Sequence, residues 1–151
     1  ITIDAHKMLQ APYGTGIFIC RKGLIENVLT KEAEYVEGMD LTLCGSRSGA
    51  NAVAVWMILF TYGGNGWFEK ISILQMRTNW FCKQLNALKI THFRNPFMNI
   101  VTIKASFIPE HLAARFDLVP QKHDSTNQWY KVIMMEHVEI EHLTLLLDEL
   151  R

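Results

Sequence analysis

Lys7 follows His6 directly, and the turn residues Pro12, Gly14 and Gly16 come soon after. Ile1 to Asp4 alternates apolar and polar side chains, with β-branched residues, at the period of a strand. The apolar run Ile17-Phe18-Ile19-Cys20 reads as a second strand beyond the turn. This pattern puts Lys7 at a strand terminus, facing whatever cleft the sheet end opens onto. A lysine amine has an ordinary pKa of about 10.4 and becomes a nucleophile only where burial or a nearby cation lowers that value. It can then form a Schiff base with a carbonyl. Taken alone, a His-Lys pair at a strand end also reads as ordinary surface.

A second candidate is Gly45-Ser46-Arg47-Ser48-Gly49, placed just before an apolar helical run. Gly45 and Gly49 permit close backbone approach, Ser46 and Ser48 carry hydroxyl donors, and the following helix start favours an anion. The same pattern also serves as a helix cap. Tyr35, set among Glu34, Val36 and Glu37, reads on its own as a half-buried anchor. The six histidines do not form a metal-ligand pattern. His137 and His142 are expected on different helix faces, and His92, His111 and His123 fall in separate predicted elements.

The elements that must position these groups fall into two parts. Residues 1–64 hold the two strands around the lysine turn, a charged stretch from Lys22 to Cys44 read as a short helix plus a mobile loop, and an apolar helix over Asn51 to Tyr62. Gly63-Gly64-Asn65-Gly66 is expected to break the chain. In residues 65–151, Trp67, Ile71, Leu74, Phe81 and Leu85 recur at helical spacing, with Arg77 and Lys83 expected on the wet side. Strands are expected over Asn99 to Lys104 and Tyr130 to Met135, with an extended piece at Leu118 to Pro120. A short helix is expected over Pro109 to Phe116, and Ile140, Leu143, Leu146, Leu147 and Leu150 define a closing amphipathic helix. This second part reads as a small α+β unit.

Composition narrows the function. The 151 residues carry 15 Lys plus Arg against 15 Asp plus Glu, a balance that argues against nucleic acid or an anionic membrane surface as the main partner. No apolar run approaches the roughly 20 residues of a membrane span, and Ala50 to Tyr62 reads as a buried helix. Cys20, Cys44 and Cys82 are scattered and odd in number, which suggests reduced thiols in a cytoplasmic setting.

Asp4-Ala-His-Lys-Met8 with Ala11-Pro-Tyr-Gly-Thr-Gly-Ile17 strongly resembles the cofactor-lysine segment of the group II amino-acid decarboxylases, which use pyridoxal phosphate. Gly45-Ser46-Arg47-Ser48-Gly49 is similar to a segment of the histidine, tyrosine and plant serine decarboxylase branch. Trp129 to Leu150 resembles the terminal strand and helix of the same enzymes. The resemblance implies fold type I, the aspartate aminotransferase-like α/β architecture, with this chain forming the end of the large cofactor domain plus a small C-terminal α+β domain.

By the same resemblance Lys7 carries pyridoxal 5'-phosphate as an internal aldimine and His6 helps hold its phosphate. Ser46 reaches a partner subunit's cofactor phosphate. Tyr35, in the segment before Gly-Ser-Arg, matches the mobile-loop proton donor. Lys131 stands where several relatives carry a carboxylate-binding arginine, without the planar two-pronged geometry of that residue. The activity implied is decarboxylation of an amino acid, aromatic or imidazole by analogy, in a homodimer with its active site between subunits. The chain reads as the back part of such an enzyme. Two alternatives stay open: a carbon-carbon lyase of the sphingosine-phosphate-lyase type, whose cofactor segment also reads His-Lys, and a non-catalytic fragment that needs the upstream part of the enzyme.

Overall fold

The computed structural model describes residues 1–28, 47–123 and 126–151, and the chain divides into two compact units, Ile1–Gly64 and Asn65–Arg151. In the first unit, β1 (Thr2–Asp4) and β2 (Gly16–Phe18) form an antiparallel pair with Thr2 opposite Phe18, Ile3 opposite Ile17 and Asp4 opposite Gly16. The Ile1 ammonium extends the pair by donating to the Ile19 carbonyl oxygen at 2.8 Å. Between the strands the backbone turns at Gln10 and Gly14, both with positive φ (56° and 83°), a region that Gly enters at no steric cost. A 3-10 turn follows at Ile25–Val28.

Helical hydrogen bonding then runs through α1 (Gly49–Ala87), interrupted at Gly63 by a non-helical φ of 57° and ψ of −173°. The break expected over four residues is therefore confined to one. Only Gly63 leaves helical geometry, at a positive φ that a residue without Cβ enters at no steric cost. The arm before Gly63 was expected to be buried. Instead Val53, Trp56, Met57, Leu59, Phe60 and Tyr62 are exposed on this chain. Apolar character on all sides of a helix signals a need for cover, and the described residues of the first unit supply little of it.

The second unit contains the rest of α1, β3 (His92–Phe93), β4 (Ile100–Lys104), α2 (Glu110–Arg115), β5 (Val119–His123), β6 (Thr126–Ile133) and α3 (Ile140–Glu149). The strands form one antiparallel sheet in the order β3-β4-β6-β5. Period-two alternation sends Val101 and Ile103 of β4 and Tyr130 and Val132 of β6 to one face. That face joins a buried cluster with Phe81 and Leu85 of α1, Leu112 of α2, and Leu143, Leu146 and Leu147 of α3. Side chains of this size stabilise by about 1.5–3 kcal/mol each when fully buried.

Along the second arm of α1 the buried positions are Leu74, Thr78, Phe81 and Leu85, one stripe of an amphipathic helix. Ile71, expected in that stripe, is exposed. Arg77, expected on the wet side, is only 16% exposed at its side chain. The fixed carbonyls of a neighbouring segment, described below, attract it inward. β3, too short to show a period, was not anticipated.

Candidate active site

Lys7 lies three residues beyond the end of β1, in the turn that leads toward β2. Two interactions tie it to Asp4. Its amide donates to the Asp4 carbonyl oxygen at 3.0 Å, and its ammonium pairs with the Asp4 carboxylate at 2.9 Å. The hydrogen bond and charge of Lys7 hold the Asp4 carboxyl below the usual carboxylate range. The turn is closed by Gln10 N–H donating to Lys7 O and Ala11 N–H donating to Ala5 O, both at 3.0 Å. The Lys7 side chain is 66% exposed, so it presents an amine at the surface of the hairpin.

His6 contacts the far end of the turn. Its Nδ1 is 3.3 Å from the Thr15 carbonyl oxygen, and its ring meets the Tyr13 ring at 4.9 Å. A carbonyl oxygen only accepts, so Nδ1 carries the proton in this contact and Nε2 is left as the free ring position. Thr15, itself buried, donates its hydroxyl to the Pro12 carbonyl oxygen at 2.8 Å. Pro12, Tyr13 and Thr15 therefore form the frame that orients His6. Asp4 and this frame were not singled out as functional in the sequence. The signal available for Asp4 was its acidic type at i−3 from the lysine.

Also in the first unit, a groove of about 740 Å³ runs between the Gly14–Phe18 segment and the start of α1, where Arg47, Ser48, Asn51 and Trp56 line it. Ser48 Oγ accepts from Asn51 N–H at 3.4 Å, an N-cap contact at the loose end of the range. Of the other anticipated site residues, Tyr35 and Ser46 lie outside the described residues.

Lys131 sits in the interior of β6, which begins at Thr126 and not at Tyr130 as expected, in register with Thr102 of β4 and Val119 of β5. In the second unit it lines a cleft of about 530 Å³ with Arg115, Asp117, His137 and His142 above an apolar floor. His137 and His142, expected on different helix faces, share this cleft because His137 precedes α3 while His142 lies in its first turn. His142 Nδ1 accepts the Glu139 N–H at 3.1 Å as half of the capping box of α3. Among the described residues no group of three metal-ligating side chains converges.

No protein-family model matches the chain. It is 56% identical over 151 residues to a tryptophan decarboxylase from Clostridium sporogenes, covering all of this chain and 36% of the relative. It is 33% identical over 159 residues to an L-aspartate decarboxylase from Thermococcus kodakarensis, covering all of this chain and 40% of that protein. Among solved structures, L-methionine decarboxylase from Streptomyces sp. 590 superimposes with a TM-score of 0.63 at 22% identity, over 80% of this chain and 25% of that one. The fold is thus that of the fold-type I enzymes. The chain spans well under half the length of the curated relatives it matches.

Proposed function

From its place among the group II pyridoxal-phosphate-dependent amino-acid decarboxylases, the family to which this chain belongs, we propose that the whole protein converts an aromatic or imidazole L-amino acid to its amine and CO2. The observation that carries the reading is the Asp-Ala-His-Lys turn, which presents a lysine amine on a hydrogen-bonded hairpin in a chain 56% identical to a tryptophan decarboxylase. That identity, against 33% to an aspartate decarboxylase, favours an aromatic side chain, with tryptophan the first substrate to test. The carbon-carbon lyase alternative has no counterpart among the relatives named above.

The residues present fit pyridoxal phosphate as cofactor. Lys7 offers an accessible primary amine for its aldehyde, and His6, the residue before it, keeps Nε2 out of the Thr15 contact. His6 then donates to a phosphate from Nε2 only when the ring is fully protonated, since Nδ1 is committed to Thr15. The cofactor, when bound, supplies the electron sink for the pair left as CO2 departs. Lys7 anchors it covalently, Ser46 contributes a phosphate donor, Tyr35 returns a proton to the substrate α-carbon, and Lys131 pairs with the substrate carboxylate. These last three assignments rest on the family resemblance. So do an active site completed between the subunits of a homodimer and the division into an end of the cofactor domain, residues 1–64, and a small C-terminal domain, residues 65–151. The scattered cysteines support a cytoplasmic location.

Borohydride reduction of the full-length protein with pyridoxal phosphate, followed by peptide mass mapping, tests the cofactor lysine. Reduced label on Lys7, together with CO2 released from tryptophan, is the expected result. Label elsewhere, or no label at all, overturns it.

A further inference from the structure

We infer that Asp4 is the positioning residue of the Lys7 amine, restraining it until an aldehyde takes its place in the turn. The inference rests on the reading of Lys7 as the cofactor lysine. Asp4 is the last residue of β1 and its register partner is Gly16, so no cross-strand side chain competes for its carboxylate. The carboxylate is thereby free to reach forward along the chain. The same residue receives the Lys7 amide on its carbonyl oxygen and the Lys7 ammonium on its carboxylate, at 3.0 and 2.9 Å. The backbone bond places the Lys7 main chain over Asp4, and the i,i+3 ion pair draws Nζ toward the Asp4 carboxylate.

An ammonium held against a carboxylate at 2.9 Å must leave that contact before its nitrogen reaches an aldehyde carbon. Capture of an aldehyde begins from the neutral amine. One proton goes to solvent, the C–N bond forms, and one water leaves with the carbonyl oxygen. Asp4 therefore sets both the direction of Lys7 and how readily it reacts. The other titratable groups on this turn are His6, whose Nδ1 meets Thr15 and whose charge also acts on Asp4, and Tyr13, whose ring lies against His6.

The test uses the full-length protein after hydroxylamine treatment and dialysis, which frees any carbonyl adduct. Trace acylation with isotope-coded acetic anhydride at pH 8, read by peptide mass mapping, gives the reactivity of Lys7 relative to the exposed Lys83. In Asp4→Asn this ratio is expected to rise about two- to five-fold, the range an exposed ion pair supports, and Asp4→Glu should restore part of the restraint. Asp4→Ser is the second variant should the amide misfold. An unchanged ratio in folded Asp4→Asn and Asp4→Ser overturns the inference. A parallel measurement of the rate at which pyridoxal phosphate labels Lys7 separates the two claims. Faster capture in Asp4→Asn supports both. A raised acylation ratio with no pyridoxal phosphate label in any variant leaves the role of Asp4 standing and removes the cofactor reading. Capture at an unchanged rate with an unchanged ratio does the reverse.

Discussion

The Arg77 guanidinium pairs with the Glu139 carboxylate, and Glu139 is the residue that caps α3. Arg77 also donates to the carbonyl oxygens of Glu136 at 2.9 Å and Val138 at 3.1 Å, while Lys70 pairs with the Glu136 carboxylate at 2.7 Å. The segment between β6 and α3 is therefore pinned to the second arm of α1 by two cations. His137 lies inside that segment, so the clamp also sets the position of one wall of the Lys131 cleft.

Arg77→Met removes the donors and leaves two carbonyl oxygens and one carboxylate without their partner. A loss of about 1.5–3 kcal/mol in unfolding free energy is expected, the range for hydrogen bonds to charged groups. Arg77→Lys, with one compact ammonium, should fall between the two. Urea titration followed by tryptophan fluorescence measures this. A midpoint unchanged from the parent would show that the clamp contributes nothing.

Phe81 is fully buried at the centre of the α1 stripe. Phe81→Ala should cost about 3–5 kcal/mol through lost burial and the cavity left behind. Phe68→Ala, at a position 76% exposed on the same helix, should change stability by less than about 0.5 kcal/mol in the isolated chain. The comparison is made on one urea series, and equal effects would contradict the assignment of the buried stripe.

The Asp4 carboxyl, held low by Lys7, gives a pH dependence of definite sign. A depressed folded-state pKa means that the contribution of the pair is present above the unfolded value of about 3.9 and is lost as pH falls through the lower folded value. Carbon-detected NMR titration of Asp4 should show its midpoint moving up in Lys7→Gln. A midpoint that stays in place would show that the ion pair is not populated in solution.

Burial pushes the Cys82 thiol up, against a smaller opposing effect from the Arg94 guanidinium beside it. Iodoacetamide at pH 8 should therefore modify Cys82 slowly compared with a free cysteine peptide. Arg94→Ala should slow it further. Peptide mass mapping over a time course follows both, and faster alkylation in the variant would reverse the assigned sign.

Much of the architecture is legible in local pattern. The alternation in Ile1–Asp4, the turn residues Pro12 and Gly14, the heptad-like recurrence of Leu74, Phe81 and Leu85, and the leucines of α3 each report a period that backbone geometry imposes over a few residues. The Lys7 turn was legible for the same reason, since its residues sit within one short hairpin. β3 was not, because two residues carry no measurable period. Lys131 was placed at a strand opening because composition marks where a β-run starts only loosely, whereas the register to Thr102 and Val119 depends on which strands pair.

The sequence by itself determined most of the helices and strands and the His6-Lys7 segment, all of them consequences of neighbours along the chain. The tertiary structure alone decided which charged residues turned inward. Arg77 carries the signature of a solvated helix face, yet it is drawn in by two carbonyls and a carboxylate that arrive from beyond β6. Trp56 and Phe60 carry the signature of a core, yet they stack on each other in the open. Burial depends on which surfaces meet in space, and a one-dimensional pattern states only what each surface would prefer to meet.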